Sequence, residues 1–431
     1  MVAGSDVADR KSGAAARERA ALVGLVSGRA RRLDAERSLD ELAGLAYAAG
    51  ADVVLRVLQE RPKPDPSTFL GSGKVTTLAL SCEETGADVV IFDNELTPAQ
   101  LRQIEEKVGR KILDRTQVIL DIFARRARTR EGKLQVELAQ LKYRLPRLVG
   151  AGDALSRLGG GIGTRGPGET KLETDRRRIR TRIHTISGDI EAVRRRRTQL
   201  RERRHKASVP TIALVGYTNA GKTTLFNLLS GANADASDAL FVTLDPLVRQ
   251  VRLPDNRELL VSDTVGFIDR LPHALVAAFR ATLEEVAAAD LILHVIDASA
   301  RDRDRRIHAV QRVLEELGAT AIPLVEVYNK CDQLTADERR RVQESDPAAV
   351  CISAVRGEGV DELVETLTFR LALDVQRVTL TFDPEQPIDR DRIAQVYRFA
   401  RVLVHETRDG RVSIVADVPR RLLARLQPTA R

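Results

Sequence analysis

The 431-residue sequence has no tryptophan, a single methionine and three cysteines, and aromatic residues make up only 3% of it. So few rings leave a core to be filled by Leu, Val, Ile and Ala, and the 43% of hydrophobic residues suffices for globular domains. Little aromatic interleaving among its basic residues argues against stacking on single-stranded bases as a main mode of binding. Cys82, Cys331 and Cys351 lie far apart and fit no metal-ligand spacing. They point to a reducing compartment and away from a disulfide framework. There is no run of about eighteen apolar residues to span a membrane. The N-terminus carries no uninterrupted apolar signal segment, and Val2 excludes N-myristoylation. A cytoplasmic, monomeric protein with no membrane span is expected.

What is present is positive charge, unevenly placed. From Ala124 to Lys206, 24 Lys and Arg stand against 9 Asp and Glu, a surplus of +15. The whole chain carries +8, so the rest is net −7. A basic segment in an otherwise acidic chain points to one localised polyanion-binding surface.

The length allows roughly three domains. Residues 1–19 are small, polar and charged and read as a disordered tail. Residues 20–123 alternate between strand and helix patterns and read as a small α/β domain. Strands are expected at Ala20–Val26, Ala51–Leu58, Asp88–Phe92 and Lys111–Leu113. Helices are expected at Leu39–Ala49, capped by Ser38 with Glu41 as its partner, and at Thr97–Val108. In the basic segment, 124–207, Leu134, Leu138, Leu141, Leu145 and Leu148 are spaced 4, 3, 4, 3. Ile179, Ile183, Ile186, Ile190 and Val193 repeat that spacing. Two heptad seams joined by the glycine-rich stretch Gly159–Gly168 read as an antiparallel helical hairpin, with Pro146 ending the first helix near Leu145. The tip residues Gly159, Gly160, Gly161, Thr164, Arg165, Gly166 and Gly168, with Arg177 and Arg180 on the second helix, are the candidate RNA contacts. Residues 208–373 alternate again and read as a doubly wound α/β sheet. Residues 374–431 read as a small α+β domain: a strand Val378–Phe382, a helix Arg390–Val402, a hairpin through Asp409-Gly410 and a short helix after Pro419.

The chemistry lies in 208–373. Gly216-Tyr217-Thr218-Asn219-Ala220-Gly221-Lys222-Thr223 fits G-x-x-x-x-G-K-[ST] in full, between the strand-like Thr211–Val215 and the helix-like Thr224–Leu229. The glycines let backbone N–H groups curl around a phosphate, and the helix N-terminus adds positive charge. Lys222 supplies a point charge for the β- and γ-phosphates, and the Thr223 hydroxyl can ligate Mg²⁺. Asp263-Thr264-Val265-Gly266 follows a strand. Asp263 is a candidate to hold the ion through water, and Gly266 N–H to reach the γ-phosphate. Thr243, in Phe241-Val242-Thr243, is placed to ligate Mg²⁺ only when triphosphate orders the loop. In Asn329-Lys330-Cys331-Asp332, the Asp332 carboxylate can accept from the guanine N1–H and N2–H₂ pair, Lys330 can lie along the base, and Asn329 ties this loop to the phosphate loop. Cys331 fills the free position and reads as inert. Ser353-Ala354 offers a backbone N–H to guanine O6. Together these assign GTP and GDP as ligands.

The group that activates water is less evident. Where a Ras-type protein places a water-orienting Gln, this chain has Phe267. Slow intrinsic hydrolysis is expected, completed by a partner or by Asp269, Arg270 or His273. The catalytic candidates are Asn219, Gly266 and Arg270. The Asn219 side-chain carbonyl is a candidate ligand for a monovalent cation, K⁺, beside the β–γ bridge. In the first domain Gly71-Ser72-Gly73-Lys74 lacks the first glycine of a phosphate loop, with Thr68 in its place. It reads as a loop leading into a helix, with a second nucleotide site as the alternative.

The run Gly159 to Asp175, the stretch Arg128–Leu141, Gly71–Lys74 and Asp263-Thr264-Val265-Gly266-Phe267-Ile268 resemble the signatures of the HflX family of translation GTPases. The match runs from about Arg61 to Leu373, with Asp269-Arg270 in the reverse of the usual order. The resemblance implies a GTPase that binds the large ribosomal subunit and its rRNA, with the hairpin tip near the peptidyl transferase centre. It also implies splitting or rescue of stalled ribosomes under stress, and ATP binding at the N-terminal domain. The alternatives are a ribosome-assembly GTPase, or an ATP-dependent RNA remodeller in which GTP is secondary.

Overall fold

The computed structural model describes residues 17–28, 32–148, 167–206, 209–236, 239–253, 258–269, 285–371, 375–408 and 410–426. It divides into two compact units, the first holding most of residues 1–192 and the second most of 193–431.

The first unit carries a four-stranded parallel sheet. Its strands are β1 (Glu18–Val26), β2 (Ala51–Glu60), β3 (Val89–Phe92) and β4 (Lys111–Asp114), in the order β2-β1-β3-β4. β1 and β3 are near-continuous apolar runs, as strands covered on both faces must be. Thr97 caps the helix Pro98–Val108 in a full capping box with Gln100, as its sequence indicates. Ser38 behaves otherwise. Its helix begins six residues earlier, at Arg32, and Ser38 is buried mid-helix with its Oγ donating to Asp93 Oδ2 at 2.7 Å. Glu41 pairs with the buried Arg115 instead of closing a cap. A further helix, Arg115–Arg126, follows β4 directly.

The hairpin's two helices are Arg130–Arg147 and Pro167–Lys206. The first runs through Pro146 and stops after Arg147, because only the last turn loses a hydrogen bond there. Its leucines are half-buried, whereas Val136, Ala139 and Tyr143 are buried. On the second helix Ile186 is fully buried and the rest of the isoleucine seam half-buried. Arg182 joins the pair, with Nε and Nη2 donating to the Glu137 carboxylate at 2.7 and 2.8 Å. The tail residues 1–16 and the tip residues 159–166 lie outside the described residues.

The second unit is built on a six-stranded sheet of β5 (Thr211–Val215), β6 (Leu247–Arg252), β7 (Glu258–Asp263), β8 (Leu291–Asp297), β9 (Leu324–Asn329) and β10 (Val350–Cys351). The order is β10-β9-β8-β5-β7-β6, with only β6 antiparallel to its neighbour. Ile212, Leu214, Leu293, Val295 and Val327 are fully buried in its core. The phosphate loop, the Asp263 loop and the Asn329 loop each leave the carboxyl end of a strand, and the Thr243 loop enters the antiparallel β6 at that same edge of the sheet. A separate antiparallel sheet, β11 (Val375–Phe382), β12 (Arg401–Arg408) and β13 (Arg411–Pro419), has the order β11-β13-β12. The helix packed on it is Pro387–Phe399, shifted three residues toward the N-terminus from the sequence expectation. Pro387 opens it, and Arg401 and Val402 belong to β12, paired with Asp417 and Ala416 of β13.

Candidate guanine-nucleotide site

β5 delivers the chain into the phosphate loop, where two glycines are dictated by space. A Cβ on Gly216 would lie 2.2 Å from the Val295 carbonyl oxygen, and one on Gly221 (φ +91°) 2.1 Å from Asn329 Nδ2. The Lys222 ammonium is buried at the centre, donating to the carbonyls of Gly216 at 3.1 Å and Tyr217 at 2.8 Å. Burial pushes its pKa down to about 8. Ala220 and Thr218 are buried, Thr224 is half-buried, and Asn219 stands exposed in the left-handed region at φ +60°.

Three oxygens converge beside the loop. Thr223 Oγ1 donates to Asp263 Oδ2 at 2.8 Å, Thr243 Oγ1 donates to the same oxygen at 3.0 Å, and the two hydroxyls are 2.8 Å apart. Asp263 is fully buried, and burial raises the pKa of its carboxyl. Its other oxygen, Oδ1, is buried with no hydrogen-bond partner, as is Thr218 Oγ1. An unpartnered carboxylate oxygen beside two hydroxyls is an all-oxygen donor set, which fits Mg²⁺. Of the loop residues before Thr243, Val242 is half-buried, whereas Phe241 is buried with φ +57° and groups with the first unit.

The loop after β7 is tied to the phosphate loop. Phe267 N–H donates to Gly216 O at 3.0 Å, and Phe267 O accepts from Thr218 N–H at 2.7 Å. Phe267 is thereby buried at the position where a Ras-type protein holds its glutamine. Thr264 turns its hydroxyl to the Leu214 carbonyl at 2.7 Å, and Val265 is buried. Gly266 is wedged so that a Cβ would meet Thr218 Cα at 2.8 Å and Lys222 Nζ at 3.0 Å. Asp269 is anchored. Its N–H donates to Tyr217 Oη at 2.7 Å, and its carboxylate pairs with Arg305 and lies 3.8 Å from Arg312. Arg270 and His273 lie outside the described residues.

At the base end Asn329 joins two loops, donating from Nδ2 to Ala220 O and accepting at Oδ1 from Ala354 N–H, both at 2.9 Å. Lys330, at φ +62°, reaches the Asp297 carboxylate at 2.8 Å, a partner that its neighbours in sequence do not reveal. The Arg356 guanidinium lies 3.8 Å from the Asp332 carboxylate. The N–H groups of Ser353 and Ala354 differ from expectation. The first donates to Glu358 O at 3.0 Å and the second to Asn329, so both serve the loop's own shape.

Elsewhere, Arg177 and Arg180 are exposed on the long helix, and Gly168 lies in its first turn. In the first unit, Gly71 caps the helix Ser72–Thr85, and its N–H already donates to Gln59 Oε1 at 3.0 Å. No helix among the described residues is long and apolar enough to cross a membrane. No cluster of three or more His, Cys, Asp or Glu among them could hold a metal.

Residues 36–124 match a family described as GTP-binding GTPase N-terminal, 126–204 one described as GTP-binding GTPase Middle Region, and 211–330 one described as 50S ribosome-binding GTPase. GTPase HflX of Caldanaerobacter subterraneus subsp. tengcongensis is 46% identical over 412 residues, covering 95% of this chain and 93% of that one. GTPase HflX of Escherichia coli K12 is 47% identical over 383 residues, covering 88% and 89%. Among solved structures, a GTP-binding protein from the archaeon Sulfolobus solfataricus in complex with GDP aligns over 82% of this chain and 98% of that one. Its TM-score is 0.43 and its identity 24%. Relatives this similar over nearly the whole length, on a sheet whose loops carry the phosphate and guanine motifs, show that the chain belongs to the HflX family of GTPases.

Proposed function

We propose that this GTPase binds the large ribosomal subunit through ribosomal RNA and uses its nucleotide cycle to split or rescue stalled ribosomes. The observation that carries the reading is the long helix Pro167–Lys206. Its face shows Arg177, Arg180 and Arg194–Arg196 exposed, in the segment that holds the chain's whole positive surplus. A 40-residue helix spans about 60 Å, enough to follow a groove of structured RNA. The description 50S ribosome-binding GTPase for the matched family agrees with this partner.

In the G domain, Lys222 and the phosphate-loop N–H groups hold the phosphates, and Asp332, Lys330 and Asn329 select and fix guanine. Thr223, Thr243 and Asp263 hold Mg²⁺, Asp263 through water, and the ion neutralises charge on the β- and γ-phosphates. Phe267 cannot orient water, and Asp269 is occupied by Arg305, so hydrolysis is completed on the ribosome. Asn219 is exposed beside this site and is the candidate K⁺ ligand. Equal hydrolysis rates in K⁺ and Na⁺ would remove that role. Lys74, at the start of the Ser72–Thr85 helix, is the candidate phosphate contact for ATP in the first domain.

The partner is tested by sedimenting the protein with isolated large subunits in the presence of a non-hydrolysable GTP analogue or GDP. Co-sedimentation favoured by the analogue and lost in R177E/R180E supports the reading. Binding that ignores both the nucleotide and the arginines contradicts it.

A further inference from the structure

Two of the three cysteines, twenty residues apart in sequence, meet behind the guanine loop. Cys331 is buried immediately before Asp332, and Cys351 ends β10 two residues before Ser353. The β9–β10 ladder sets Cys351 opposite Tyr328, and Cys331 N–H donates to Ile352 O at 3.1 Å. Both side chains pack into one small apolar cluster with Ile296, Tyr328, Val342 and Ala349. The Cys331 thiol donates to the Tyr328 carbonyl at 3.1 Å, and Cys351 packs against the same cluster. Arg339 lies over the pair, its Nη2 donating to Cys331 O at 3.0 Å.

We propose that Cys331 and Cys351 are an oxidisable dithiol, and that its closure by hydrogen peroxide weakens the binding of guanine nucleotide. This rests on the reading that Asp332 and its neighbours hold the base. The two cysteines divide the work. Cys351 is the more accessible, and the Cys331 thiol beside it, with Arg339, holds it below the usual thiol range. Cys331 is held above that range by the neighbouring Cys351 and by burial. The Cys351 thiolate attacks the peroxide O–O bond, giving a sulfenic acid and releasing hydroxide. The Cys331 sulfur then attacks the sulfenic sulfur. The S–S bond forms, the S–O bond breaks, and hydroxide leaves and takes the Cys331 proton as water. Overall two thiols and one peroxide give one disulfide and two waters.

The consequence follows from where the pair sits. A covalent bond draws two sulfurs closer than any non-bonded contact allows. Cys331 opens a single 3₁₀ turn, Cys331–Gln333, held behind by Lys330 at φ +62° and in front by Asp332. Movement of Cys331 is therefore transmitted to the carboxylate that reads the base. Linkage requires the reverse effect, so bound GDP makes the disulfide less favourable at equilibrium.

The experiment is titration of the full-length protein with a fluorescent GDP analogue, reduced and after peroxide, with non-reducing peptide mapping. Reduced protein is expected to bind. Peroxide should join the Cys331 and Cys351 peptides and raise Kd by about tenfold or more, the loss of one charge-assisted hydrogen bond. Dithiothreitol should restore binding, and saturating GDP should lower the disulfide fraction reached in a glutathione redox buffer. C351A, or C351S if the alanine variant is unstable, should bind as the reduced protein does and ignore peroxide. A cross-link that leaves Kd unchanged overturns the proposal, as does equal loss in the Cys351 variants or failure of the two peptides to join. Reduced protein that does not bind GDP overturns the guanine reading, and the proposal with it.

Discussion

At the scale of single residues, the site is governed by space and by a few shared hydrogen-bond partners. Gly266 is the tightest case, since its Cβ position is occupied by the phosphate loop and the Lys222 ammonium. G266A should therefore push the two loops apart at a cost of about 1–3 kcal/mol. GDP should still bind within a few-fold, and the response to triphosphate should be lost, as read by comparing affinities for GDP and a GTP analogue. Asn329 bridges the phosphate and base loops with two 2.9 Å hydrogen bonds, so N329A should weaken GDP and GTP together, by about tenfold to a hundredfold. A loss confined to GTP would contradict that role. The phosphate loop and Asn329 are legible in sequence because a strand, a fixed spacing and a helix surround them. The Lys330–Asp297 pair and the Cys331–Cys351 contact are not. Each joins loops from different strands, and only the register of the parallel sheet brings them together.

Among the elements, β8 carries a histidine through the middle of the sheet. His294 is fully buried, its Nδ1 has no hydrogen-bond partner, and the Glu326 carboxylate is 4.0 Å away. Burial, with the nearby Lys222 charge, pushes its pKa from 6.5 down to about 4. The imidazole is therefore neutral at pH 7 and does not form an ion pair with Glu326. Between those two values the unfolded chain binds a proton that the folded one excludes. Stability should fall as pH drops from about 6.5 to about 4, by up to about 3 kcal/mol. Urea unfolding of H294Q should show a shallower loss over that range than the wild type, and an unchanged slope would remove His294 as the cause. Strands are legible where apolar runs are unbroken, as in β1 and β3. Helices are less legible where the apolar signal starts late or is thin. In Arg32–Ala48 the first two turns are charged and mostly exposed, so the periodicity begins only at Leu39. Ala336–Ser345 buries only Val342, and its Thr335–Glu338 capping box is its clearest signal.

For the whole molecule, charge is separated: a basic hairpin segment of +15 is attached to a remainder of −7. If the arginine face meets phosphates, affinity for large subunits should fall steeply with salt. Removing Arg177 and Arg180 should lower the slope of log K against log salt by roughly two. The hairpin itself was legible from its two heptad seams, but its packing was not. The stripe Val136, Ala139 and Tyr143 is more deeply buried than the leucines, because partner side chains, not spacing alone, decide which face is covered. On the function proposed above, docking of this basic element completes a GTPase site that Phe267 leaves without a water-orienting group. The most direct test is the rate of GTP hydrolysis by the purified protein, alone and with large ribosomal subunits, for the wild type and for a deletion of Gly159–Gly168. Hydrolysis should be slow alone and strongly stimulated by the subunit, and the deletion should lose that stimulation with basal hydrolysis intact. Hydrolysis that the subunit leaves unchanged, with binding preserved, would contradict it.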